Sequence, residues 1–318
     1  AYWDHPWFPN VPWSATDWQI SNQAMLAQNS LGTIPDLFGG LAEQGKPYTI
    51  SEYNHPTPNI YQTEMVPLLA AYSAFHGADG IMFFEYAGGD PVNWAQDRVD
   101  GFFGIHRNPA IMALFPLFAY AYREGLIRET ANPLLVSYSP ESIYLLPQED
   151  NTGRWGKYFP YDKQLALTTG IRTSGFQAAQ PSLPRAQAGG SLYFSSTGEL
   201  VFPPPLGLFQ VNAPRIECFA GNLGNAPQVP GNRMQVLQGS DHGVIAWASL
   251  TEQSLLQSTH SLITLASRFQ NQNMIWHGST TINNNWGTAP AAINPLNLQV
   301  SLHILADSLH IFPLDPMG

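Results

Sequence analysis

Residues 48–125 run strand, helix, strand, helix, and no other feature of the chain restricts its fold as strongly. YTISEYNHP (48–56) is an extended run that ends on a carboxylate, Glu52. TPNIYQTEMVPLLAAYSAFHG (57–77) carries Met65, Leu68, Leu69, Tyr72 and Phe75 at helical spacing. Asn59 followed by Gln62 predicts a capping box, Gly77 a stop, and Pro67 an internal kink. GIMFFEY (80–86) reads as a short apolar strand, and Asn108-Pro109 opens a second helix that contains Pro116 and ends near Gly125. Two strands joined through a helix require a right-handed crossover and a parallel pair buried on both faces.

The pattern changes after about residue 131. Short β-type runs follow one another, among them LLVSYS, SIYLL, SLYFSS, LVFPP, GLFQV, GVIAWASL, HSLITLAS, NMIWHG, NLQVSLHIL and SLHIF, with turn signals between them. The expected class is therefore α/β plus all-β: an α/β region over 1–130 and an antiparallel β-sandwich over 131–318.

Composition removes several function classes. Thirteen Lys plus Arg against a net charge of −10, with no basic run, argue against nucleic acid as a partner. No apolar run is long enough to span a membrane, and no signal peptide is visible. The one cysteine, Cys218, rules out an internal disulfide and a thiolate zinc site. Nine histidines without HExxH spacing give no metal signature, and GxSxG is absent, so no cofactor is called for. Charged residues make up only 11%, while aromatics reach 12% with nine Trp. Neutral polar groups beside aromatic faces suit a carbohydrate partner. Trp3, Trp7, Trp13 and Trp94 fall on loops, where sugar stacking and plain packing are both open.

Alternation places Tyr48, Ile50 and Glu52 on one face of the first strand and Ile81, Phe83 and Glu85 on one face of the second. In a (β/α)8 barrel, strand ends carry the catalytic groups, so Glu52 and Glu85 would converge on one mouth. Glycosidic hydrolysis needs such a carboxylate pair, about 5–5.5 Å apart in retaining enzymes. Glu52 can be a nucleophile; Glu85 can be the acid/base or a substrate contact.

YTISEYNHP, followed by a helix and HGADGIMFFEY, resembles strands 7 and 8 of the clan A retaining glycoside hydrolases. YWDHPWFPN resembles the region after strand 6, and GIHRNPAIMALFPLFAYAYREG the final helix of cellulase-like and agarase-like bacterial members that carry a C-terminal β-sandwich. The resemblance implies that 1–130 is the C-terminal portion of a (β/α)8 barrel, that Glu52 is the nucleophile, and that His5 contacts it. Around Glu52 and Glu85 the substrate-binding candidates are His5, Trp7, Asn54, His55, Tyr86 and Trp94, and the resemblance implies a β-linked poly- or oligosaccharide substrate and a secreted or periplasmic bacterial setting. The chain departs from the pattern in two places. No asparagine-glutamate pair corresponds to the acid/base of strand 4, and Glu85 stands where an aromatic is usual. Either Glu85 supplies the proton, or an N-terminal barrel half or a second copy does, or the chain is a carbohydrate-binding or structural piece without turnover.

Overall fold

The computed structural model describes residues 1–28, 31–88, 97–140, 144, 162–175 and 190–314. A short helix α1 (Ile34–Phe38) leads into β1 (Thr49–Tyr53), which pairs in parallel with β2 (Gly80–Phe83), Thr49 opposite Gly80 and Ile50 opposite Ile81. The crossover between them is α2 (Met65–Phe75), and α3 (Pro109–Arg123) follows β2. Among the described residues this parallel sheet holds two strands.

Helix α2 starts later than its sequence signals suggest. The Asn59 side chain instead closes a turn by accepting the Tyr61 amide at 2.7 Å. The Gln62 side-chain oxygen accepts the Asn108 side-chain amide at 2.7 Å and the Asn59 N–H donates to the Pro56 carbonyl at 3.2 Å, so no capping box forms. The Gln62 NH2 donates to the His55 carbonyl at 2.8 Å and the Thr57 hydroxyl at 2.9 Å. The late start puts Pro67 in the first turn, where the missing N–H had no intrahelical partner, and the expected kink has no cause. Gly77 ends the helix as anticipated, at φ +59°, with the Ala78 amide closing back on Ser73 at 2.9 Å. In α3 the Asn108 side chain caps the Ile111 amide at 3.1 Å. Next to Pro116, the carbonyl of Ala113 accepts the Thr264 hydroxyl at 2.8 Å.

After residue 131 the first pair, β3 (Leu134–Val136) with β4 (Ile171–Thr173), is parallel rather than antiparallel. The main sheet is antiparallel. It comprises β5 (Tyr193–Phe194), β6 (Leu200–Phe202), β7 (Leu208–Ala213), β8 (Ile216–Asn222), β10 (His242–Ser249) and β11 (Ser261–Ser267), in the order β11-β10-β8-β7-β6-β5. Separate pairs are formed by β9 (Met234–Gly239) with β14 (Leu298–Leu302), and by β12 (Phe269–Gln272) with β13 (Thr288–Ile293). NMIWHG and SLHIF hold no strand: a turn at Asn273 breaks the first, and Ile311 and Phe312 of the second are exposed. Most of SIYLL lies outside the described residues.

The two faces of the six-stranded sheet have different covers. Val211, Cys218, Ala220, Val244 and Ala246 face the helices, where Tyr72 of α2 meets Phe209 at 5.6 Å. Leu208, Phe219, Ile245 and Trp247 pack under β9 and β14, with Val236, Leu298 and Val300. Only this second face is sheet on sheet. The hydrophobic core on the helical face is continuous from Trp18 to Trp286 and crosses residue 130 without a break. Every residue of α2 except Ala74 is buried, which an apolar helix between a second helix and a sheet requires. Cys218 lies at the centre of this arrangement, fully buried on β8 between Val211 and Ala246, and burial pushes its thiol pKa up. Among the described residues no helix is long and apolar enough to cross a membrane.

One buried carboxyl ties the N-terminal loop to this core. Glu64, 0% exposed, accepts the amides of Met25 at 2.7 Å and Leu26 at 2.9 Å. Burial raises its pKa to about 8, against the pull of those two amides. Glu64→Ala would leave both donors buried and unsatisfied, a loss of about 3 kcal/mol. Urea unfolding should show it as a lower midpoint; an unchanged midpoint would rule the clasp out.

Candidate active site

A bulge between Ile50 and Tyr53 breaks the alternation of β1 and sets the geometry of the site. Ile50 and Tyr53 are both buried, while Ser51 and Glu52 both lie on the open side. Glu52 therefore does not share the Ile50 face, as strict alternation would have it. Residues 2 and 3 run alongside: Tyr2 bridges Asn54 in parallel, and the Trp3 amide donates to the Asn54 carbonyl at 3.1 Å. This places the Tyr2 hydroxyl on Glu52 Oε1, to which it donates.

Glu85 follows two residues after β2, past a cis Phe84–Glu85 peptide. Its amide donates to the Phe103 carbonyl at 3.1 Å and its carbonyl accepts the Ile105 amide at 3.0 Å. Its half-buried carboxylate packs over Gly88, where a Cβ would sit 2.0 Å from Oε1. The Tyr2 phenol is held above its ordinary pKa, first by burial, then by the hydrogen bond and charge of Glu52, then by the charge of Glu85. Both carboxylates thus bear on one hydroxyl.

Phe103 is the hub of an aromatic wall beside them. Its ring centroid lies 5.5 Å from Tyr2, 5.6 Å from His5, 6.1 Å from Trp13 and 5.4 Å from Phe84. Trp13 is 63% exposed, so it offers a free indole face. Tyr2 and Phe103 did not stand out in the sequence, whereas Trp13 is one of the loop tryptophans open to sugar stacking. Tyr2 opens YWDHP, three residues before the histidine of that stretch.

The expected site residues divide. His5 meets Tyr2 edge-on at 5.0 Å, one side chain removed from Glu52, and donates from Nδ1 to the Pro6 carbonyl at 2.7 Å. Tyr86 is exposed, with its ring 5.8 Å from His106. Trp7 is exposed but tied to Gln19 by backbone bonds, and among the described residues it joins no ring of the wall. Asn54 and His55 are corrections: both are turned inward, at 2% and 1% exposure. Asn54 donates to the carbonyls of Phe84 and Phe103, which fixes the ends of both strands and the wall. His55 lies against the Tyr53 hydroxyl at 3.0 Å, and burial lowers its pKa to about 3. Both side chains face the interior. Trp94 lies outside the described residues.

A pocket of about 350 Å³ opens next to Glu85, with Asp100, Phe103, His106 and Arg107 in its walls. That is the small end of the range for ligand sites. Among the described residues no group of three His, Cys, Asp or Glu side chains is placed to hold a metal. No protein-family model, curated protein or solved structure matches the chain.

Proposed function

We infer that this chain is the nucleophile-bearing region of a retaining glycoside hydrolase that acts on a β-linked poly- or oligosaccharide. The observation that carries the reading is Glu52 at a strand end, on the open side, hydrogen-bonded by Tyr2, with a second carboxylate at the end of the adjacent strand. The β1–α2–β2–α3 unit is read as the last two strands and helices of a (β/α)8 barrel. The six-stranded sheet with β9 and β14 is read as the accompanying sandwich. Among the described residues the outer edge of β2 is unpaired, and a further strand of a longer chain, or of a second copy, completes the mouth. A polymeric substrate places the enzyme in the periplasm or the medium.

In the proposed reaction Glu52 attacks the anomeric carbon while the glycosidic C–O bond breaks, and a carboxylic acid protonates the departing oxygen. Glu85 or a carboxyl from the completing segment supplies that proton. Water then displaces the sugar from the glycosyl-Glu52 ester, and the same acid, now a base, takes the water's proton. Tyr2 keeps the attacking carboxylate aligned. Release of reducing ends from β-linked polysaccharides, compared between the wild type and Glu52→Gln, tests the reading. Equal rates in the two would end the nucleophile role.

The exposed Trp13 supports a second reading, carbohydrate binding without turnover. Binding with no product, abolished by Trp13→Ala and untouched by Glu52→Gln, is its signature.

A further inference from the structure

Every cation at the pocket beside Glu85 is already engaged. Arg107, among the described residues the one cationic side chain in its walls, is spent three ways, with a side chain only 10% exposed. Its Nε donates to His106 Nε2 at 2.9 Å, one terminal nitrogen donates to the Arg98 carbonyl at 3.1 Å, and the other pairs with Asp100 at 3.1 Å. Arg98 behind it holds the Gly287 carbonyl at 3.1 Å and the other oxygen of Asp100 at 3.6 Å. His106 donates from Nδ1 to the Tyr86 carbonyl at 2.9 Å while its Nε2 accepts from Arg107. Asp100 is thereby neutralised. Glu85 is not: among the described residues no cation pairs with its carboxylate, although a pocket of about 350 Å³ opens directly onto it.

A carboxylate in that position accepts hydrogen bonds from hydroxyl donors and repels an incoming anion. The geometry points to this pocket as a subsite for one uncharged sugar ring, held by hydroxyls donating to Glu85, and as a filter against uronate-bearing or sulfated glycans. The inference rests on the glycoside hydrolase reading for the substrate being a glycan at all. It goes further in assigning Glu85 to choosing the substrate, which leaves the proton transfer to a carboxyl from the completing segment, and in naming the class chosen.

The test uses Glu52→Gln protein, which holds substrate without consuming it. Calorimetry compares a neutral β-1,4-glucan oligosaccharide with the same oligosaccharide whose C6 hydroxymethyl groups have been oxidised to carboxylates. The neutral ligand should bind at least about tenfold more tightly, because like charges across a contact are strongly disfavoured. Adding Glu85→Gln, which keeps shape and removes charge, should compress that ratio at least threefold, and near-UV circular dichroism would verify the fold. Equal or tighter binding of the oxidised ligand, an unchanged ratio in the double variant, or no binding of either ligand would each overturn the assignment. Turnover by the wild type is read separately. Absent turnover with the preference retained would end the hydrolase reading and leave the filter standing; turnover that disappears in Glu52→Gln with no preference would do the reverse.

Discussion

Glu52→Gln is expected to lower kcat/KM on a β-linked glycan by at least about a thousandfold, or roughly 4 kcal/mol of transition-state stabilisation. Its effect on stability should be small. The residue is exposed, the amide has the same shape, and the Tyr2 hydroxyl can still donate to the remaining carbonyl oxygen. What is lost is the negative charge that attacks the anomeric carbon. Tyr2→Phe separates alignment from attack. Removing one hydrogen bond to a charged acceptor should cost about tenfold in kcat and leave the nucleophile in place. The sharper measurement is Glu52→Ala in the presence of azide. If Glu52 is the nucleophile, the small anion enters the vacated space and yields a glycosyl azide of inverted configuration. Recovery of a product with retained configuration would move Glu52 to the acid/base role.

Acidification should destabilise the fold well before the carboxylates as a class are protonated. His55, His76 and His242 are buried at 1%, 0% and 5% exposure, and burial lowers each pKa to about 3. His76 shows why. Its Nε2 donates to the Ala166 carbonyl at 2.8 Å and its ring stacks on Phe38 at 4.3 Å, while Nδ1 has no partner. A proton on Nδ1 would be a buried donor with nothing to receive it. Unfolded histidines bind protons below about pH 6.5 and the folded ones do not until about pH 3. The unfolded state therefore gains protons first, and stability falls as pH drops through that window at about 1.4 kcal/mol per unit for each ring. Glu64 works in the opposite sense. Its folded pKa of about 8 lies above the unfolded one, so its contribution to stability grows as pH falls from 8 toward 4.5. Glu217, raised by burial despite its Arg233 partner, does likewise. Between pH 7 and pH 5, three rings against Glu64 leave a net loss of about 3 kcal/mol, before the return from Glu217, out of a typical total of about 5–15 kcal/mol. Urea midpoints at pH 7 and pH 5 measure it; equal midpoints would mean the three rings are not held neutral.

The parts of the fold that were legible in the sequence are those with one dominant local cause. Asn108-Pro109 starts α3 and Gly77 stops α2, because a cap and a left-handed glycine act within a few residues. The start of α2 was not legible. Asn59 and Gln62 have capping chemistry, yet the buried polar groups of the 55–57 turn compete for it more effectively. Strand β8 showed no alternation because nearly all its side chains are buried, on two faces with different covers. In the site, Glu52 and Glu85 stood out as carboxylates ending strands. The inward turn of Asn54 and His55 did not, since it depends on the bulge and on carbonyls of residues 84 and 103 that are distant in sequence. Phe103 became the hub for the same reason: nothing within its own stretch points toward Tyr2, a hundred residues earlier.

The lone thiol of β8 makes the molecule its own clock. Cys218 sits between two strands of the central sheet, out of reach of water and reagents while those strands stay paired. A thiol-reactive dye added to the native protein can label it only when the middle of the molecule parts, so the labelling rate counts core openings and ignores fraying at the loops. Followed across pH, that rate would report from the sheet what the buried imidazoles do on the helical side, with no engineered probe.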